Sequence, residues 1–393
     1  MKLGIAFVTS LVCASGALAT SSFDIPLQRR GPQLNMDNVN MRTVVTHVKS
    51  SMMKYSNALR NYKLNTGEDH PLAGKYRKKR DDTSVDLKAV GGGVEWIGPL
   101  TVGGQKFLVQ FDTGSPDLIV NSKAYDPSKS RSANNTHKRF ESSYGDGTHG
   151  EGTVYSDSLK LGDATADSIS IGRSNQPITH ANEEDGNQGI AGLSFMSISG
   201  FKRNDKKSKS IHEALGSSKA IAHNVYQFTL SKNSSSQLHI GGVDKSKISG
   251  DVTYVNVDPK YGFWVTSVEV SGVEIKGVID SGTTIIIGPK NEVVEVFKKM
   301  KGVEVISQHG RIFGAYDCDR DLGITFKIGG RNMRIPKELQ SFGSTGDGRC
   351  VVSIASAPSA PPLNAWVIGD TLFQGNSIIF DVEKSRIGFA TAK

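Results

Sequence analysis

Two stretches of the 393-residue chain offer a carboxylate in the same setting: Phe111-Asp112-Thr113-Gly114-Ser115 and Val278-Ile279-Asp280-Ser281-Gly282-Thr283-Thr284. Each Asp ends an apolar run of strand-favouring residues (107–111 and 273–279), and each precedes a hydroxyl residue, a Gly, a second hydroxyl and another apolar run. The pattern predicts strand, tight loop, strand, with the acid at the loop tip. Gly lets the backbone turn close to the carboxylate so that peptide N–H groups can donate to it. Two such loops brought together put like charges within hydrogen-bond distance, where they cannot both ionise and so share one proton. One carboxyl is then an acid and the other a base. A single copy of Asp-hydroxyl-Gly would mean little, since these are ordinary turn residues; the pair in matching contexts carries the reading.

A second repeat supports the first. Gly189-Ile190-Ala191-Gly192-Leu193 and Trp366-Val367-Ile368-Gly369-Asp370 share an apolar-apolar-Gly core, its Gly lying 80 residues after Asp112 in one copy and 89 after Asp280 in the other. That parallel predicts two lobes related by a pseudo-two-fold axis. Around these motifs, strands are expected over 94–120 with a turn at Gly103-Gly104, and short helices over 210–222 and 291–300.

With these motifs the chain resembles the pepsin-like aspartic peptidases, particularly their fungal secreted members, over nearly all of 90–393. The resemblance implies an all-β, bilobal double barrel with a central substrate cleft and few short helices. It implies an endopeptidase in which Asp112 and Asp280 activate a water without a covalent intermediate, most active at acid pH. Ser115 and Thr283 would bond the outer carboxylate oxygens, and Thr113 and Ser281, beside Gly114 and Gly282, would lock the two loops across the lobe boundary. Polypeptides are the implied substrates; neither cofactor nor metal is expected.

Tyr144-Gly145-Asp146-Gly147-Thr148-His149-Gly150 contains a literal G-x-G-x-x-G. A dinucleotide fingerprint must open a helix, whereas Gly-rich and then alternating residues follow here, so a hairpin is expected. It resembles the family's flap: Tyr144 would be the flap tyrosine, Gly145 and Asp146 would offer backbone groups to the peptide, and an acid at 146 implies that Lys is accepted beside the cleaved bond. Where relatives usually carry a Trp that bonds the flap tyrosine, this chain has Ile119, which cannot donate.

The amino end reads as a signal peptide over 1–19: Lys2, an apolar run to Cys13, and small residues ending Ala17-Leu18-Ala19. The carboxyl end lacks the hydrophobic tail of a lipid anchor. Residues 20–80 hold 12 Lys/Arg against 4 Asp/Glu, while the remainder beyond the signal holds 34 against 35. The net charge of +8 therefore belongs to this segment, which removes the ground for a nucleic-acid partner. Within it Val45, Val48, Met52, Tyr55, Leu59 and Tyr62 form one apolar helix face. Its end, Lys75-Tyr76-Arg77-Lys78-Lys79-Arg80, contains a dibasic site. We read 20–80 as a propeptide cut after Lys79-Arg80, followed by lobes over 81–232 and 233–393. Lys75-Tyr76 resembles the family pair whose Lys sits between the catalytic acids, so the propeptide is expected to act as an intramolecular inhibitor.

The product is expected to be a secreted monomer without a membrane anchor, with the vacuole as the alternative destination. Asn134 and Asn233 head glycosylation signals. With Cys13 lost in the signal, Cys318 and Cys350 remain as an even pair in an exported protein, and their spacing resembles the family's carboxy-lobe disulfide. His212-Glu213-Ala214-Leu215-Gly216 starts like a zinc motif but lacks the second His. Two other classes are weighed: a catalytically inactive binding protein of the same fold, which a lost acid would mark, and a glycosidase using the same acids, which unlike acid environments and an aromatic sugar platform would mark.

Overall fold

The computed structural model describes residues 22–30, 39, 41–74, 95–143, 149–175, 186–230, 236–308, 310–358 and 362–393. The paired motifs fold as one three-strand unit made twice. In the first, strand Gln105–Asp112 runs parallel to Gly189–Gly192, with Asp112 opposite Gly192, and the latter pairs antiparallel with Leu118–Asn121. In the second, Val273–Ile279 runs parallel to Trp366–Ile368, which pairs antiparallel with Ile286–Gly288. Each unit buries its strands on both faces, which is why these runs are continuously apolar instead of alternating. The first strand of each unit therefore delivers its Asp at its carboxyl end, Asp112 as the last residue of Gln105–Asp112 and Asp280 directly after Val273–Ile279.

Among the described residues three sheets carry the fold: one of 13 strands, one of 7 and one of 4. The first spans the amino-terminal unit and continues into Val225–Thr229, Ser236–Ile240, Asn376–Asp381 and Arg386–Ala392, so the chain's last strands lie in the same sheet as its first lobe. The lobe boundary expected at 232/233 falls in the connection between two antiparallel strands of this shared sheet. The sheets and few short helices are the all-β architecture that the acid loops predict.

The hairpin around Gly103-Gly104 is present, Val102 opposite Gln105, with both glycines at positive φ where a side chain would be strained. A short helix runs Ile211–Ser218, its start fixed by a capping box in which Ser210 accepts from the Glu213 N–H and the Glu213 side chain answers to the Ser210 N–H. Another runs Lys290–Lys299 with Val293, Val296 and Phe297 buried.

The basic segment is built into this frame. Strand β1 (Phe23–Arg30) pairs antiparallel with Ser236–Ile240 on one side and Glu95–Val102 on the other, joining the two halves of the 13-stranded sheet. Phe23, Ile25 and Leu27 point into the core, and Asp24 accepts from His239 Nδ1 (2.7 Å) and Gln237 (3.0 Å). The period-two alternation of 23–27 signals such a strand, which our reading of the sequence passed over. Helix α1 (Met41–Thr66) follows and buries Val44, Val45, Val48, Met52, Tyr55, Ala58 and Tyr62, the stripe expected from the three-and-four spacing, with Leu59 half-buried at its margin. Its partners include Ile198, Phe263, Ile285 and Ala357, drawn from both lobes.

Cys318 and Cys350 are bonded, with Cα atoms 5.0 Å apart. They join the ends of strands Arg311–Asp317 and Arg349–Val352, which already pair at Asp317 and Arg349.

Candidate active site

The two acid loops meet at the lobe boundary and answer one another atom by atom. The Gly114 N–H donates to Asp112 Oδ1 (2.8 Å) and the Gly282 N–H to Asp280 Oδ1 (2.9 Å). Ser115 Oγ donates to Asp112 Oδ2 and Thr283 Oγ1 to Asp280 Oδ2, both at 2.6 Å. Across the boundary, Thr113 Oγ1 donates to the Ile279 carbonyl (3.0 Å) and accepts from the Ser281 N–H (2.9 Å). Ser281 Oγ donates to the Phe111 carbonyl (2.8 Å) and accepts from the Thr113 N–H (3.1 Å). Each hydroxyl thus donates once and accepts once, so neither donor of the buried exchange is left without a partner. A Cβ at Gly114 would overlap the Asp280 carboxylate and one at Gly282 the Asp112 carboxylate, so only glycine permits this approach.

Asp112 and Asp280 are 2 % and 0 % exposed and lie within hydrogen-bonding reach of each other. A glycosidase needs its carboxyls in unlike surroundings, whereas the two loops bond their carboxylates in matching ways, which argues against that class. Burial raises the pKa of both. For Asp112 that rise survives, because the Lys54 ammonium lowers it while the Asp280 charge adds to it. For Asp280 the Lys54 ammonium, with bonds from Lys54 and Thr283, overcomes burial and brings the group down to about 2. Within the pair, Asp112 is the member that takes a proton and Asp280 the one that remains a carboxylate in the presence of Lys54.

Lys54 is the group that sequence reasoning missed. Its Nζ donates to Asp112 Oδ1 (3.1 Å) and to Asp280 Oδ1 and Oδ2 (3.0 and 2.8 Å). Tyr55 OH donates to Asp280 Oδ2 (2.8 Å), and Ser51 Oγ lies 3.4 Å from Thr283 Oγ1. Among the described residues the cation between the acids is Lys54; Lys75, expected there from the sequence, lies outside the described residues together with Tyr76, Lys79 and Arg80. The physical reason is the helix: Ser51, Lys54, Tyr55 and Ala58 recur at steps of three and four, so the stripe that buries α1 delivers them to the dyad. Lys54-Tyr55 is the same dipeptide as Lys75-Tyr76 and sits within the apolar face, a signal available in the sequence.

Further along the cleft Lys54, Asn57, Ala58 and Asn61 of α1 close a pocket whose other wall is Gly114, Ser115, Pro116, Asp117, Ile119, Ile190 and Ile198. Ile119 packs with Phe140, Val154 and Phe201. Asp117 accepts from Ser199 Oγ (2.5 Å) and the Gly200 N–H (2.7 Å), and burial, only partly opposed by these bonds, pushes its carboxyl up to about 6.

Tyr144, Gly145 and Asp146 lie outside the described residues; the strands that flank them, Asn134–Ser143 and His149–Leu161, pair antiparallel with Ser143 opposite His149. Asn134 is exposed at the start of the first of these strands, and Asn233 is not described. His212 is buried against the Leu193 carbonyl, its pKa lowered by burial to about 4, and belongs to the core.

This pair of loops, on two repeated three-strand units, belongs to a known class. The family model of the eukaryotic aspartyl proteases matches residues 95–392, and the chain is a member of that family. It is 39 % identical to secreted aspartyl protease 1 of Malassezia globosa, across 99 % of both chains. To penicillopepsin-1 of Penicillium janthinellum it is 28 % identical over 75 % of this chain and 94 % of that one. Its fold is similar to the crystal structure of the aspartic proteinase from Irpex lacteus, with a TM-score of 0.63, 19 % identity, and 76 % and 94 % of the two chains covered. The protein is an aspartic endopeptidase, and no helix among the described residues is long and apolar enough to cross a membrane.

Proposed function

We propose that the chain is the inactive precursor of an exported acid endopeptidase, in which residues 20–80 occupy the cleft and are removed to leave a mature chain from about residue 81. The observation that carries this reading is the three-point contact of the Lys54 ammonium with both carboxylates. A cation there is the electrostatic complement of two buried acids, and it stands where the reacting group of a substrate has to be. With Lys54 gone, the pair holds one proton between them. The ionised carboxylate takes a proton from a water as the oxygen attacks the peptide carbonyl, and the protonated one donates to the carbonyl oxygen, giving a neutral tetrahedral diol. Ser115 and Thr283 hold the outer oxygens so that the inner pair faces the substrate, and the Thr113–Ser281 exchange keeps the loops in register.

The sign of the pH dependence follows from the dyad. A carboxylate whose pKa is depressed contributes stability that is present above its unfolded value and lost as the pH falls towards the depressed one. The Lys54 clamp is intact at neutral pH and weakens as the pH falls, Asp112 taking its proton before Asp280 does. Digestion of a mixed peptide library at acid pH by the processed protein, with and without a pepstatin-type inhibitor, tests the assignment. Cleavage abolished by the inhibitor supports it; binding of peptides without cleavage would leave an inactive relative of the fold.

A further inference from the structure

The clamp at the dyad is not the only place where the segment is held. Beyond α1 the chain turns at Gly67 and is stitched to the carboxy-terminal lobe: the Asn364 N–H donates to the Leu72 carbonyl (2.8 Å), the Gly74 N–H donates to the Pro362 carbonyl (2.7 Å), and Ala73 bridges to Leu363. At the centre of this turn His70 is 3 % exposed, with ring centroids 4.7 Å from Tyr62, 5.4 Å from Phe263 and 6.0 Å from Tyr261. Both ring nitrogens are committed. Nδ1 accepts from the Leu72 N–H (3.0 Å), which fixes the proton on Nε2, and Nε2 donates to the Tyr261 carbonyl (2.6 Å). The site fits the neutral imidazole alone.

We propose that His70 is an acid-sensitive latch, separate from the Lys54 clamp, whose protonation releases the turn 67–74 from the carboxy-terminal lobe and lets α1 leave the cleft from its carboxyl end. The proposal rests on the reading of 20–80 as an inhibitory segment. A proton added at Nδ1 would point at the Leu72 N–H, so one hydrogen bond is replaced by a donor facing a donor, and a charge is created among aromatic rings. The groups around it give that charge no partner. From α1 there is Tyr62, and from the Pro259–Tyr261 turn come Tyr261 and Lys260. The neighbouring acids are already engaged, Asp69 with Lys63 at 2.8 Å and Asp258 with Lys260 at 2.6 Å. Burial lowers the pKa of His70, and the Tyr261 carbonyl opposes it only in part.

The direction follows from linkage. A group held neutral in the docked state and free to protonate in the released one stabilises docking fully above its ordinary value of about 6.5, and that stabilisation is lost as the pH falls through and below it. The bonds of Lys54 to Asp280, whose carboxylate the ammonium holds at about 2, persist to lower pH. His70 thus lets the strap loosen in mild acid, from the end that leads to the dibasic site.

Hydrogen exchange of amides 41–74 in freshly diluted full-length precursor, corrected for intrinsic rates, reads the two attachments separately between pH 7.5 and 4. The expected result is early loss of protection at 67–74, ahead of the amides around Lys54, and in His70→Gln a shift of that loss to lower pH, because Gln keeps a donor for the Tyr261 carbonyl and cannot be protonated. Loss at the same pH in both proteins overturns the proposal. If His70→Gln already lacks protection at pH 7.5, the imidazole titration of the unsubstituted precursor decides: a value below that of the urea-unfolded chain supports the latch, and an equal or higher one overturns it. A precursor that cleaves peptides while α1 stays fully protected would instead overturn the inhibitory reading itself.

Discussion

Replacing Lys54 by Met removes the cation and keeps the length of the side chain, so the apolar face of α1 stays in place. The ammonium makes three bonds to two acids, and breaking a buried ion pair by deleting one partner costs about 3–5 kcal/mol. The effect should sit at the lower end of that range, because the abandoned carboxylates lie within reach of each other and take up a proton that relieves their repulsion. Helix α1 itself remains formed: it buries Val44, Val45, Val48, Met52, Tyr55 and Tyr62, each worth roughly 1.5–3 kcal/mol. The variant is therefore a precursor whose open fraction has risen, about a hundredfold for ~3 kcal/mol. A pepstatin-type inhibitor can enter only the open form, so its apparent affinity for the full-length chain is its intrinsic affinity multiplied by that fraction. At pH 6 the apparent Kd should fall by about two orders of magnitude in Lys54→Met, and the gain should shrink as the pH is lowered. An unchanged Kd would refute the view that Lys54 holds the cleft shut. A comparable gain from Lys75→Met would return the role to the position first expected from the sequence.

Two further outcomes follow from the same structure. Asp117 is partly buried with its pKa raised from 3.8 to about 6, so the fold favours its protonated form, and stability is lost as the pH rises between those values. Asp117→Asn should therefore be more stable than the unsubstituted protein at pH 7.5, by up to about 3 kcal/mol, and no more stable at pH 4, as read from urea midpoints. Replacing both Cys318 and Cys350 by Ala should cost roughly 3.7 kcal/mol in the chain-entropy account of a loop of this length, seen as a lower urea midpoint of the precursor at neutral pH.

The site was legible because its chemistry demands residue types that are rare in combination. Asp, hydroxyl and Gly between two apolar runs, found twice, gave both carboxylates and their supporting hydroxyls. The repeated apolar-apolar-Gly segments gave the strands beneath them, and the structure places Gly192 and Ile368 in register with the acid loops as that repeat requires. Lys54 was overlooked because the dibasic end of the segment drew the Lys-Tyr assignment to 75–76, when the helical stripe already aimed 54–55 at a partner surface. Strand β1 was passed over for a related reason: Pro26 interrupts a short alternation whose partners, 95–97 and 236–240, lie far away in the chain. Asp117 carries no sequence signature at all, since its raised pKa comes from burial by residues that only the fold assembles. The 13-stranded sheet is of the same kind, being set by pairings between strands far apart in the chain, β1 with Ser236–Ile240 and Val225–Thr229 with Asn376–Asp381.

The central claim is that the carboxyls of residues 112 and 280 work as one unit on a peptide bond. The most direct test is the pH profile of kcat/KM for a quenched peptide, measured on the processed protein and on Asp112→Asn. The account predicts a bell with an acid optimum for the first and no cleavage above background at any pH for the second. Cleavage by Asp112→Asn that a pepstatin-type inhibitor still abolishes would contradict it.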